Sequence, residues 1–340
     1  MATSVVPHNL LFKRPSGTSR GILTDKPSWF IISIENEKIK GIGECSVIEG
    51  LSPDLSSQIP LILDDHFENN TPISSAYPAV RFGVETWQES AGPGPPHQLY
   101  PSDWLDGSVG IPINGLIWMG SPDFMKEQIK QKIAAGFSCI KMKIGAIGFE
   151  EELAIIQGVR REFSVADITL RVDANGAFHP TTALEKLKRL SEYDIHSIEQ
   201  PIKQKQWPKM ARLCQESPLP IALDEELIGV RSSEQEALLS EIQPQYIILK
   251  PSLLGGIKAS ESWISLADSL GIGWWVTSAL ESNVGLNAIA QWTATLDVDM
   301  PQGLGTGGLF TNNIPSPLVM RKGQLWYDTS MPWDYLKVIS

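Results

Sequence analysis

Cysteine is scarce in this chain: Cys45, Cys139 and Cys214 are the only three in 340 residues, and no two form a Cys-x-x-Cys pair. An odd number without that spacing indicates neither a structural zinc site nor a disulfide framework. Cys139 sits inside an apolar strand run, where it reads as a small core residue. Positive charge is also in short supply. There are 28 lysines and arginines against 39 aspartates and glutamates, a net charge of −11. That balance disfavours broad contact with nucleic acid or an anionic membrane, and an anionic substrate would need local cations to hold it. No window approaches the apolar length of a membrane span, and Met1-Ala-Thr-Ser-Val-Val-Pro-His lacks the basic and apolar parts of a signal peptide. The expectation is a cytoplasmic protein. The five histidines, His8, His66, His97, His179 and His196, show no ligand spacing.

What is present has two textures. Trp29–Ile34 and Ile39–Glu44 read as strands around the turn Glu35-Asn-Glu-Lys, and residues 55–67 and 76–90 have helical apolar spacing. Strands followed by helices predict an α+β unit over 1–105, ending in the Pro/Gly-dense stretch after Ala91. From there the pattern alternates over 106–311. Ile111–Trp118 is expected as strand one, then a helix over 122–135 with Ser121 as N-cap and Gly136 as its stop. Helices are expected near 149–162, 181–192, 206–216, 233–239, 258–270 and 284–295, with Gly303–Phe310 as the closing strand. Seven β/α units and a final strand fit this segment. The tail turns hairpin-like around Arg321-Lys-Gly-Gln, so 312–340 is expected to return to the first domain.

Five ionisable residues punctuate the alternating part: Lys143, Asp173, Glu199, Asp224 and Lys250, with gaps of 30, 26, 25 and 26 residues. Each lies at or near the end of an apolar run, and one β/α unit uses about that much chain. Charges at the carboxyl ends of successive parallel strands are how an α/β barrel assembles a site at one rim. Residues i and i+2 of a strand share a face, so Lys141 joins Lys143 and Asn175 joins Asp173. A lone strand lysine is more often an exposed or snorkelling side chain. Two on one face of an apolar strand need counter-charges, which the next three strands supply. The bland reading of the three acids is helix capping, which suits Asp224 best of the three. Together they are hard oxygen donors without a Cys or His cluster, which suits Mg²⁺, with Mn²⁺ as a possible substitute. Such a site, flanked by two lysines, fits removal of a proton α to a carboxylate, followed by reprotonation or elimination. Gly303-Leu-Gly-Thr-Gly-Gly matches the dinucleotide pattern by letter, but no βαβ unit follows it; a turn that lets substrate approach backbone is the better reading.

Lys-Met-Lys at 141–143, Arg-Val-Asp-Ala-Asn at 171–175, Glu-Gln-Pro at 199–201, Leu-Asp-Glu at 223–225 and Leu-Lys-Pro at 249–251 resemble the enolase superfamily, muconate-lactonising subgroup. A lysine base working with Mg²⁺ is that superfamily's established pattern. The resemblance implies a TIM-like (β/α)7β barrel under an N-terminal α+β capping domain. It implies Lys143 as base, with Lys141 beside it and Lys250 opposite, and Asp173, Glu199 and Asp224 as metal ligands. Asn175, Gln200 and Glu225 would support those ligands, while Arg20, Asn114, Ser278 and Gly305 would face a small-molecule carboxylate. Oligomeric state stays open. The lysine at 250, with no histidine near Thr277, separates the chain from the mandelate-racemase-like branch. Pro112–Trp118, Gly17–Gly21 and Pro301–Phe310 resemble a water-eliminating branch of the subgroup. Asp297-Val-Asp299 instead resembles the Asp-x-Asp of its dipeptide epimerases; N-acylamino-acid racemases share the lysine pair.

Overall fold

The computed structural model describes residues 2–18 and 21–335. The chain opens with an antiparallel sheet of β1 (Ala2–Thr18), β2 (Gly21–Glu35) and β3 (Lys38–Ser46). The β2–β3 turn places Asn36 and Glu37 at φ 50° and 62°. The apolar run Trp29–Ile32 is continuous because both faces of the sheet are covered. Trp29 and Ile31 pack with Ile59, Leu63, Ala79 and Val80 of α1 (Ile59–Asn69) and α2 (Pro78–Ser90). Phe30 and Ile32 face the other way, onto Val284 and Ile314. Helix and strand nearly touch: a Cβ at Gly43 would lie 2.1 Å from the Gly83 carbonyl oxygen.

The second part alternates as the spacing predicts. In chain order come β4 (Ile111–Pro112), β5 (Gly115–Ile117), α3 (Pro122–Ala134), β6 (Cys139–Lys143), α4 (Phe149–Glu162) and β7 (Thr169–Asp173). Then follow α5 (Pro180–Ser191), β8 (Ser197–Glu199), α6 (Trp207–Glu216), β9 (Ile221–Leu223), α7 (Gln235–Ile242) and β10 (Tyr246–Leu249). The series ends with α8 (Pro251–Leu254), α9 (Ile257–Ser269), β11 (Gly273–Val276) and α10 (Asn283–Thr293). Strands β5 to β11 form one parallel sheet in sequence order. Ser121 caps α3 by accepting from the Phe124 N–H, and Gly136 leaves that helix at φ 83°. Alternation sends Ile140, Met142, Leu170 and Val172 outward against Leu153, Ile156 and Leu187 of the helices. Their neighbours point inward, and at the base of the sheet Trp275 and Ile248 pack with Tyr246 and Met300.

Two expected strands differ. Strand one is split into β4 and β5. Pro112 cannot donate a ladder hydrogen bond, and the chain changes partners across it: Ile113 N–H donates to the Gly323 carbonyl, Asn114 N–H to that of Gln302. The closing strand over 303–310 shrinks to isolated parallel bridges, Ile113 to Gln302 and Thr277 to Gly303, that connect both edges of the sheet to one short segment. Glycine-rich sequence then turns at Thr306–Leu309. The tail forms β12 (Leu318–Arg321) and β13 (Gln324–Tyr327), and β13 pairs with β4 instead of the N-terminal sheet. Beyond it Trp333 and Tyr335 stack on each other and pack against the cluster that holds Phe30, Ile32 and Ile42 of the N-terminal sheet. Among the described residues no helix is long and apolar enough to cross a membrane.

Candidate active site

Register brings the charges to one level. Lys143 pairs with Asp173 across β6–β7, Asp173 with Glu199 across β7–β8, and Asp224 and Lys250 directly follow β9 and β10. Lys141 Nζ lies 3.0 Å from Asp173 Oδ2 and also donates to Glu199 Oε2. Lys250 Nζ donates to Asp224 Oδ2 at 2.5 Å. Lys143 Nζ donates to Asn175 Oδ1 at 2.7 Å and stands 3.5 Å from Asp173 Oδ2. Asp224 makes no side-chain cap to the short turn after it, so the capping alternative falls away.

The loops are held by amides. Asn175, at φ 42°, donates its N–H to Asp173 Oδ1 at 2.9 Å and its side-chain amide to Glu225 Oε1 at 3.0 Å. Gln200, at φ 38°, accepts from the N–H groups of Asp224 and Glu226 at 3.2 Å each and donates to Glu226 Oε2 at 3.0 Å. Left-handed backbone at a bulky residue is disfavoured, and these brackets hold it in place.

Above this floor is a cavity of about 290 Å³. Lys141, Lys143, Asp173, Asn175, Glu225 and Lys250 form its base, and Asn114, Ser278 and Gly305 its wall, with Ile22 and Leu51 closing from the N-terminal domain. Glu199 and Asp224 are buried beside it but do not reach the wall. Ser278 Oγ lies 2.6 Å from Thr306 Oγ1. Arg20 lies outside the described residues. Trp118 was not foreseen, yet its ring is 5.9 Å from Lys143 Nζ. The signal was available: Asn114, Leu116 and Trp118 alternate and all three line the cavity. Asp297 and Asp299 are exposed and off the cavity wall. They precede Met300 at the base of the sheet, the end opposite Lys143.

Burial works against each charge, but mutual attraction decides most of them. Burial would lower Lys141, yet Asp173, Glu199 and Asp224 raise it; Lys250 is raised chiefly by Asp224 against the same penalty. Burial would raise Asp173, and Lys141, Lys143 and Lys250 instead hold it well below the usual carboxylate range. Glu199 is pushed up to about 7, first by burial, with Asp173 and Asp224 adding and Lys141 opposing. Among the described residues no three His, Cys, Asp or Glu side chains converge closely enough to hold an ion; lysines stand among the carboxylates instead. Glu199 Oε1 is nevertheless buried with no hydrogen-bond partner, an orphaned anionic oxygen of the kind a hard cation satisfies. The donor set fits a divalent ion.

Residues 124–329 match the family model described as Enolase C-terminal domain-like. An o-succinylbenzoate synthase of Desulfotalea psychrophila is 48% identical, over 93% of this chain and 96% of its own. The crystal structure of MenC from that organism superposes with a TM-score of 0.82 at 43% identity, covering 95% of this chain and 99% of the other. An L-Ala-D/L-Glu epimerase of Bacillus subtilis is more distant, 26% identical over 60% of this chain and 56% of its own.

Proposed function

The chain belongs to the Enolase C-terminal domain-like family, and from that membership we propose that it is a lyase that makes o-succinylbenzoate. The substrate is 2-succinyl-6-hydroxy-2,4-cyclohexadiene-1-carboxylate. Its α C–H and ring C–OH bonds break on one face, water leaves, and the ring becomes aromatic, a step of menaquinone biosynthesis in the cytoplasm. Lys143 takes the α-proton and returns one to the departing hydroxyl. Lys250, on the other side of the cavity floor, places fixed positive charge against the enediolate that forms. Lys141 keeps Asp173 and Glu199 paired. Asn114, Ser278 and Gly305 orient the substrate from the wall, and Asn175, Gln200 and Glu225 hold the loops of the acids; Arg20 would be a further substrate-side residue.

Asp173, Glu199 and Asp224 would hold Mg²⁺, with Mn²⁺ as a substitute. When bound, the ion supplies Lewis-acid stabilisation of the charge that develops on the substrate carboxylate. Taking it up requires Lys141 and Lys250 to give up their ion pairs with these acids. We further read the parallel sheet as a (β/α)7β barrel whose last strand is reduced to the bridges at Gln302 and Gly303. Residues 1–105, completed by 312–340, form its capping domain.

The observation that carries the residue roles is that Lys143 and Lys250 end on one cavity, with the carboxylates beneath them. The epimerase reading has less support, because Asp297 and Asp299 do not line that cavity. Turnover of the cyclohexadiene carboxylate with Mg²⁺ and with chelator tests the proposal, alongside deuterium uptake from D₂O into L-dipeptides. Metal-dependent dehydration without dipeptide exchange supports it; exchange without dehydration overturns it.

A further inference from the structure

The N-terminal sheet meets the barrel through a buried polar cluster. Lys26 of β2 and Glu44 of β3 come from one side. Glu281 and Ser282, in the loop after β11, and Ser252 of α8 come from the other. All five side chains are at most 2% exposed. Glu44 accepts from the N–H of Ser282 at 2.9 Å and of Gly285 at 2.8 Å, capping the start of α10. Glu281 accepts from the Ala279 N–H at 2.8 Å and from the Ser252 hydroxyl, two residues past Lys250. A Cβ at Gly285 would lie 2.8 Å from Glu281 Cβ and 2.9 Å from Glu44 Oε2, so glycine is what lets both acids in. Lys26 donates to Ser46 Oγ, which lies 3.0 Å from Ser28 Oγ, and the Ser28 hydroxyl donates to Glu44 Oε1 at 3.2 Å. The Lys26 charge also opposes the upward push of burial on Glu281.

The cluster touches the site through one turn. Ser278, Ala279 and Leu280 line the cavity, and Leu280 sits at φ 62°. The Glu281 carboxylate folds back onto Ala279 and holds that left-handed turn closed. Leu280 in turn packs against the cluster of Leu10 and Phe12 of β1 with Phe310. Gly21, Ile22 and Leu23 of β2 line the same cavity a few residues before Lys26. Burial raises Glu281 and lowers Lys26, and attraction between the two opposes both shifts, so the charge of Glu281 is favoured when β2 brings Lys26.

We propose that Glu281 is a positioning residue which, with Lys26 as its counter-charge, makes seating of the N-terminal sheet and shaping of the Ser278–Leu280 wall a single event. The catalytic consequence rests on the proposed synthase reaction; the structural coupling does not. Two readouts separate them. In kinetics with the cyclohexadiene carboxylate and Mg²⁺, Lys26→Met and Glu281→Gln should each raise KM about tenfold with kcat within about threefold. The double variant should be no worse than either single, and Lys26→Arg should recover KM. In hydrogen exchange without substrate, each single variant should speed exchange in both 21–28 and 277–286. Glu281→Gln keeps size and most hydrogen bonds, so it stays informative where Glu281→Ala fails to fold. Lower thermal stability with unchanged KM, additive effects, or faster exchange in only one segment would overturn the coupling. Wild-type protein that does not dehydrate the substrate would overturn the reaction, and exchange would still decide the coupling.

Discussion

Replacing Lys141 with methionine keeps the aliphatic stem and removes one ammonium from among buried acids. Lys141 is 6% exposed, and Asp173 and Glu199, its partners, are 1% and 0% exposed. Breaking a buried pair by removing one partner costs about 3–5 kcal/mol, because the remaining charge is left uncompensated. Unfolding entropy of about 2.1 cal/mol/K per residue makes that a Tm loss of about 4–7 °C for a chain of this length. Saturating Mg²⁺ places a cation among the same carboxylates. Binding at a hundredfold excess over Kd contributes about 2.7 kcal/mol, and in the variant Lys141 no longer has to be displaced first. The expected result by calorimetry is a wide Tm gap between wild type and Lys141→Met in chelator that narrows by more than half in Mg²⁺. Equal Tm values in chelator, or a gap that Mg²⁺ leaves unchanged, would refute the idea that lysine and ion answer the same charges.

Lys143→Ala should abolish dehydration while Mg²⁺ still raises its Tm as in wild type; retained turnover would remove Lys143 as base. Asp224→Asn should weaken Mg²⁺ binding at least tenfold in titration calorimetry, since one anionic ligand is lost and Lys250 is freed, and an unchanged affinity would exclude it from the ligand set. His196 gives a pH dependence. Burial, then Arg171, lowers it from 6.5 to about 4. The unfolded chain therefore binds this proton first, so the stability from neutral His196 is complete above about pH 6.5 and declines as pH falls towards 4. His196→Gln should flatten that acid slope in urea midpoints measured at several pH values; an identical slope would show that other groups set it.

Much of this was legible because the signals are local. Strand parity alone puts Lys141 and Lys143 inside and Ile140 and Met142 outside. The near-even spacing of five charges marks the strand ends at one rim. What was missed depends on contacts far apart in sequence. Pro112 looks like part of one strand until its neighbours are seen bonding to Gln302 and Gly323. The segment after Gln302 reads as strand by composition, but single bridges to Ile113 and Thr277 are enough to join the sheet's edges. Glu44 meets Ser282 across 238 residues, and neither position carries a pattern that announces the other. Asp297-Val-Asp299 is the opposite case: the letters resemble an epimerase motif, but both side chains are exposed and off the cavity wall.

The two ends of the sheet divide the labour of stability and chemistry, and Arg171 stands at the border. It faces Lys141 on one side and Ser197 on the other, one inward position below Asp173. It is 1% exposed, its guanidinium lies 4.1 Å over the Trp275 ring, and it donates to the Pro301 carbonyl at 2.8 Å. Below it the interior is aromatic and aliphatic, with Tyr246, Trp275 and Ile248. Above it the ends of β6 to β10 carry Lys143, Asp173, Glu199, Asp224 and Lys250. A guanidinium stacked on indole is a fixed cation, and stacking satisfies its face without an acid beside it. The cations that act on the carboxylates stand above it: Lys141, Lys143 and Lys250 on Asp173, and Lys141 and Lys250 on Glu199. Arg171 thus closes the floor of the site against the aromatic end of the sheet, and the lysines above it balance the acids.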